Sequence, residues 1–97
     1  MFSIDVETDG RAVMVGRLDA SQAATAQQAL DRTQGDVTVD CSALEYLSSA
    51  GLGVLLKTQK RLMAAKGGLR LVGVNRALQE IFTYSGFDKI FQIVPAA

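Results

Sequence analysis

Short stretches of alternating apolar and polar residues are separated along this chain by longer stretches with helical periodicity, and this alternation constrains the fold most. The period-two pattern predicts strands over residues 2–6, 12–16, 37–40, 69–73 and 89–94. The helical pattern predicts helices over residues 20–33 and 49–65, and a third helix between Asn75 and Gly86. Asp9-Gly10 predicts a hairpin between the first two strands.

The order β-β-α-β-α-β-α-β requires parallel pairing wherever a helix joins two strands, with right-handed crossovers. We therefore predict a two-layer α/β domain with a mixed, mostly parallel sheet and helices on one face. Thr38, Asp40 and Arg70 point to a solvated opposite face, because a sheet covered on both faces has nearly continuous apolar strands. Met14 is expected beside Thr38 and Arg70 on this open face, where it would support weak self-association and leave the chain a monomer or weak dimer.

The helices carry their own signals. Gly35 is expected to end the first helix in a left-handed conformation. Spacings of three and four residues predict the apolar face of the second helix. This face comprises Leu52, Leu55, Leu56, Leu62 and Met63.

Length and composition exclude several classes of function. The 97 residues suffice for a single domain, 1–97. Ten basic and ten acidic residues cancel, so no net charge attracts nucleic acid or an anionic membrane. No basic leader or apolar stretch of about 20 residues is present, and the lone Cys41 forms no internal disulfide, so we expect a cytoplasmic protein.

The sequence lacks residues that common catalytic sites require. Without histidine, neither a Ser-His-Asp triad nor an ordinary zinc site can form. Gly51 and Gly53 begin a dinucleotide-binding pattern, but Leu56 stands where its third glycine belongs. We therefore expect no enzyme activity, no catalytic residue, no metal and no cofactor.

The start of the second helix is the candidate functional site. Ser48 and Ser49 stand where a helix leaves backbone N–H groups without partners, and one serine suffices as the N-cap. Gly51 and Gly53 each cost about 1 kcal/mol inside a helix, which favours a close approach by another surface. The residues alone leave two interpretations open: a cap only, or a cap beside a phosphorylation site.

Residues 46–56, with the sequence YLSSAGLGVLL, resemble the signature of STAS domains, the bacterial anti-sigma-factor antagonists. Residues 16–19, GRLD, resemble the strand-to-helix element of that family. Family members typically carry Asp-Ser-Ser/Thr-Gly, so the resemblance makes Ser49 the phosphoacceptor and places Asp19 beside it. Ser48 replaces the family aspartate and is an alternative acceptor, and Ala50 replaces the second hydroxyl residue.

The resemblance implies a βα superhelical fold and partner switching. The unphosphorylated protein would bind an anti-sigma factor that is also a GHKL-type serine kinase, and a PP2C-type phosphatase would reverse phosphorylation. The implied partner-binding residues lie at two helix starts. They are Asp19, Ser21, Ser48, Ser49, Ala50, Gly51, Leu52 and Gly53. The alternative is a STAS-like subunit of a fixed assembly, such as a lipid-transport complex or a stressosome-type scaffold.

Overall fold

Five strands form one sheet in the order in which they occur in the chain. The structure is a computed structural model that describes residues 1–96, so the last residue of the predicted domain lies outside the described residues. The strands are β1 (Phe2–Val6), β2 (Arg11–Leu18), β3 (Asp36–Leu47), β4 (Gly68–Val74) and β5 (Gln92–Pro95). The helices are α1 (Ala23–Leu30), α2 (Ser49–Ala64) and α3 (Arg76–Ser85). Short 3-10 turns at Ala20–Gln22 and Phe87–Lys89 precede α1 and follow α3.

The first two strands pair antiparallel and the other neighbouring pairs are parallel. Because the strand order is sequential, crossovers of one hand bring the three helices to the same face of the sheet. The predicted α/β class, element order and mixed sheet are confirmed.

The core lies between the helices and the inner face of the sheet. Ala12 of β2 pairs in register with Val39 of β3, and Leu71 of β4 lies opposite Val39. The prediction for Met14 is wrong: Met14 shares the inner face with Ala12 and is fully buried. It therefore cannot support self-association through the open face.

The open face carries polar residues as predicted. Thr38 lies between Arg11 and Arg70, and Asp40 forms an ion pair of 2.8 Å with Arg11. Among apolar residues, Val15 is exposed on this face.

Some element bounds differ from the prediction because tertiary contacts override local signals. Helix α1 ends at Leu30, whose carbonyl accepts a hydrogen bond from the Arg61 side chain of α2. Gly35 is left-handed (φ 72°), but it precedes β3 and does not cap α1. Met63 is wrongly assigned to the apolar face of α2, since it is 57% exposed.

Strand β3 continues well beyond its predicted end, to Leu47, with irregular register against β2. The ends of α3 follow the sequence more closely. The Asn75 side chain accepts a hydrogen bond from Leu78 N–H (2.9 Å), and Gly86 is left-handed (φ 78°). The Phe91 ring then packs edge-on against both Phe82 and Phe87.

Candidate functional site

Ser48 holds the junction between β3 and α2. Its hydroxyl oxygen accepts a hydrogen bond from Gly51 N–H (3.2 Å), which makes it the N-cap of α2. Its backbone N–H donates to the Leu18 carbonyl (2.9 Å), and its carbonyl accepts from Leu52 N–H (2.9 Å). Ser48 is half-buried, so both its side chain and its backbone serve the fold.

Ser49 is placed differently, although it is the next residue. It is the first residue of α2, and its side chain is exposed. No hydrogen bond within residues 1–96 engages its hydroxyl. A hydroxyl at the start of a helix lies close to the unpaired N–H groups and the positive end of the helix dipole, which favour an anion.

The two glycines that follow have different environments. A Cβ atom on Gly51 would lie 2.7 Å from Leu47 Cδ1 and 2.9 Å from Leu18 Cγ. The surface that Gly51 approaches therefore belongs to this domain, and contact of Gly51 with a partner stays a prediction. Gly53 is exposed, and a Cβ atom there would meet nothing within 4 Å.

Asp19 and Ser21 lie at the same edge of the sheet as Ser49, because β2 and β3 are parallel and both end there. The 3-10 turn that contains Ser21 contacts α2. Asp19 Oδ1 accepts hydrogen bonds from the Ser21 hydroxyl (2.6 Å) and the Ser21 N–H (3.0 Å). These bonds, the hydroxyl bond first, lower the pKa of Asp19 below its usual range, so the carboxylate is charged at neutral pH.

The predicted partner-binding residues thus do not form a uniform surface. Ser21, Ser49 and Gly53 are exposed. The half-buried members are Asp19, Ser48, Ala50 and Leu52. Gly51 is buried.

Two surface features near this edge were not predicted from the sequence. The Arg17 guanidinium lies 4.4 Å from the centre of the Tyr46 ring, a cation–π contact between residues paired across β2 and β3. An apolar groove also separates Leu52 of α2 from Ile81 and Tyr84 of α3. A second apolar stripe on α3, beside its core residues, is the sequence signal that would have revealed this groove.

The remaining reactive group is the thiol of Cys41, and it is not accessible to solvent. Cys41 is fully buried, and burial raises the pKa of its thiol to about 12, so it is neither nucleophile nor ligand at neutral pH. Within residues 1–96, no group of three His, Cys, Asp or Glu side chains could hold a metal ion. No helix in this part of the chain is long and apolar enough to cross a membrane.

The family model described as "Mlab, STAS domain" matches residues 6–95, nearly the whole chain. The chain belongs to the STAS family. The anti-sigma factor antagonists of this family are binding proteins rather than enzymes.

Several STAS proteins named as anti-sigma factor antagonists are similar to this chain. BtrV of Bordetella bronchiseptica is 38% identical over 64 residues, which cover 66% of this chain and 55% of BtrV. The chain thus spans about half the length of this curated relative. The crystal structure of an antagonist from Mycobacterium paratuberculosis has a TM-score of 0.75 and 27% identity over 98% of this chain and 85% of that chain.

The antagonist SpoIIAA from Bacillus shows the fold at lower identity. Its unphosphorylated form has a TM-score of 0.71 at 17% identity, covering 100% of this chain and 90% of that chain. Its phosphorylated form has a TM-score of 0.63 at 20% identity, with 97% and 91% covered.

Proposed function

We propose that this STAS domain is an anti-sigma-factor antagonist that acts by partner switching at Ser49. In the unphosphorylated form it binds an anti-sigma factor that is also a GHKL-type serine kinase, and it thereby releases a sigma factor. Phosphorylation of Ser49 ends this binding, and a PP2C-type phosphatase restores it. Because these partners act on transcription, we propose a cytoplasmic location.

The observation that carries the proposal is that the two neighbouring serines have different structural roles. Ser48 caps α2, whereas the Ser49 hydroxyl is exposed and takes no part in the cap. A phosphate on Ser49 adds about −1.5 to −2 charges at pH 7. The start of the helix stabilises an anion by roughly 0.3–1 kcal/mol. The domain therefore tolerates the phosphate, and a docked partner meets its charge and bulk.

The same geometry favours Ser49 over Ser48 as the acceptor. A phosphate on Ser48 would be attached to the same oxygen that accepts the Gly51 N–H bond, in a half-buried position. Support from a relative comes from SpoIIAA, whose structure is known in a phosphorylated form.

The first test maps the phosphate. The chain is incubated with ATP and a GHKL-type serine kinase that co-purifies with it, and the modified residue is identified by mass spectrometry. We expect phosphate on Ser49 both in the original chain and in the Ser48→Ala variant. We expect no phosphate on the Ser49→Ala variant. Phosphate on Ser48, or on Ser49→Ala, contradicts the assignment.

The second test separates binding from folding. We expect the Ser49→Asp variant to lose its binding to the kinase. Its free energy of unfolding should stay within about 0.5 kcal/mol of that of the original chain. Ser48→Asp is the matched control, because it adds the same charge one residue earlier and aspartate is an equally good N-cap. This control should retain the kinase. If Ser49→Asp unfolds, or both variants bind alike, the switch is not at Ser49.

A second candidate function is a permanent subunit of a fixed assembly, such as a lipid-transport complex or a stressosome-type scaffold. The matching family model bears the name Mlab rather than that of an antagonist, and this favours the second candidate. Ser49 would then remain unmodified at a permanent docking surface. Co-purification distinguishes the two: a transporter ATPase or a large assembly supports the subunit, and a GHKL-type kinase supports the antagonist.

A further inference from the structure

An apolar groove lies beside the candidate switch, between α2 and α3. It is shallow and open to solvent, with a volume of about 480 Å³. Its lining consists of Leu52, Ala77, Glu80, Ile81, Tyr84 and Ser85. Leu52 comes three residues after Ser49, which places it on the same side of α2, about 4.5 Å further along the axis.

Helix α3 has two apolar stripes, and the core uses one of them. Leu78 and Phe82 are fully buried beneath the helix. The second stripe contains Ala77, Ile81 and Tyr84, at spacings of four and three residues, and it borders the groove. The Tyr84 side chain is 96% exposed, so the fold itself does not require this ring.

The size of a specific interface connects the groove with Ser49. A standard interface covers about 800 Å² per partner, a disc of roughly 16 Å radius. The residues around Ser49 are small: Ser48, Ala50 and Gly53 offer little apolar surface to a partner. A partner that covers Ser49 and extends along α2 reaches Leu52 next, and across the groove Ile81 and Tyr84 provide apolar contact area.

We propose that this groove receives an apolar side chain of the same anti-sigma factor kinase that is switched at Ser49, with Tyr84 as the main contact. The inference rests on the proposed function and adds where the binding affinity comes from. Tyrosine is enriched among the few residues that dominate interface energetics. Glu80 is exposed at the rim of the groove and lies 4.0 Å from the Arg76 guanidinium, so this rim offers charges of both signs to polar groups around the inserted side chain.

The groove and the switch have separate effects in this arrangement. A phosphate on Ser49 changes charge at the start of α2 but adds nothing to the groove. Loss of Tyr84 should therefore weaken binding without any change at Ser49. Tyr84→Ala should raise Kd by the same factor in the original chain and in the Ser49→Ala variant, which has no hydroxyl at residue 49 to phosphorylate.

The test uses calorimetry to measure the dissociation constant between a purified GHKL-type serine kinase that co-purifies with the protein and the 97-residue chain or its variants. We expect Tyr84→Ala to raise Kd about tenfold or more. Tyr84→Phe should stay within about twofold, since the groove is apolar. Met63→Ala is the matched control: Met63 is 57% exposed on the same helix as Leu52, about 21 Å along the axis from Ser49. It too should stay within about twofold.

Each other outcome overturns the proposal in a recognisable way. If Tyr84→Ala binds like the original chain while Ser49→Asp does not bind, the groove is outside the interface and the switch stands. If the original chain does not bind the kinase, the proposed function and this inference both fail. If the chain alone dimerises in sedimentation and Tyr84→Ala makes it monomeric, the groove is occupied by a second copy. Thermal unfolding of each variant checks that its fold is retained.

Discussion

The two ends of α2 are held in different ways. Near its C-terminal end, Arg61 donates hydrogen bonds to the carbonyls of Leu30 (2.8 Å) and Thr33 (3.0 Å). Gln59 accepts from Leu69 N–H (2.6 Å) and donates to the Ile90 carbonyl (2.8 Å). At its start, by contrast, Ser48 makes the cap and the next hydroxyl is left in solvent.

This difference separates stability from regulation within one helix. The side chains of the C-terminal half bind backbone groups of α1, of β4 and of the segment before β5, so they fix α2 to the domain. The first turn needs only its cap and the close packing of Gly51. A charge can therefore be added at Ser49 without disturbing the bonds that hold the helix in place. Substitutions along α2 test this separation.

The largest effect is expected at Gln59. Gln59→Ala leaves Leu69 N–H and the Ile90 carbonyl without their side-chain partner, and Leu69 is buried. We expect the free energy of unfolding to fall by about 2–4 kcal/mol, measured by urea denaturation. Lys60→Ala is the control, with an exposed side chain and an expected change within about 0.5 kcal/mol. Equal stability of the two variants would remove the distinction between the two ends.

Replacing each of the two glycines by alanine should change the free energy of unfolding in opposite directions, although both lie within the first turn and a half of α2. Gly51→Ala forces a methyl group against Leu18 and Leu47, and we expect it to lower stability by about 1–3 kcal/mol. Gly53→Ala meets open space and should raise stability by roughly 0.5–1 kcal/mol, because alanine loses less backbone entropy. The same denaturation measurement compares them, and a loss in both variants would contradict the open environment of Gly53.

The serine pair should differ by about 1 kcal/mol. Ser48→Ala removes the acceptor of Gly51 N–H, and loss of an N-cap typically costs about 1 kcal/mol. Ser49→Ala should change the free energy of unfolding by less than about 0.5 kcal/mol. If Ser49→Ala is the more destabilising variant, its hydroxyl has a structural role and the division between cap and switch is wrong.

The smallest effect concerns Asp19, which is exposed enough for solvent to screen its interactions. Its pKa is lowered from the ordinary value of 3.8, first by the Ser21 hydroxyl. A lowered pKa in the folded state stabilises the fold above the unfolded value, and this contribution is lost as the pH falls through the folded value. We expect an NMR titration of Ser21→Ala to move the Asp19 pKa back towards 3.8. An unchanged pKa would show that the hydroxyl does not bind this carboxylate in solution.

Local signals account for what could be predicted of the fold. The caps Asn75 and Gly86 were identifiable because a cap depends on residues within one turn. Met14 and Met63 were assigned to the wrong side because their exposure depends on strand register and on how far α2 extends beyond its neighbours.

The candidate site was predictable in position but not in detail. Two serines before an apolar helix identify its start, and the structure adds which hydroxyl makes the cap and which is exposed. The reason for Gly51 could not be predicted, because Leu18 and Leu47 reach it through the pairing of β2 with β3. The groove at Tyr84 was missed because its lining combines Leu52 of α2 with residues of α3 that are distant from it in the chain.

By itself, the sequence determined the order of strands and helices, the mostly parallel sheet and the place where α2 begins, because each depends on periodicity or on residues close along the chain. Only the tertiary structure decided that Ser49 stays in solvent, that Gly51 serves internal packing and that Gln59 and Arg61 hold the far end of the helix. These features arise from contacts between residues far apart in the chain, and the distances between them exist only after the sheet has assembled.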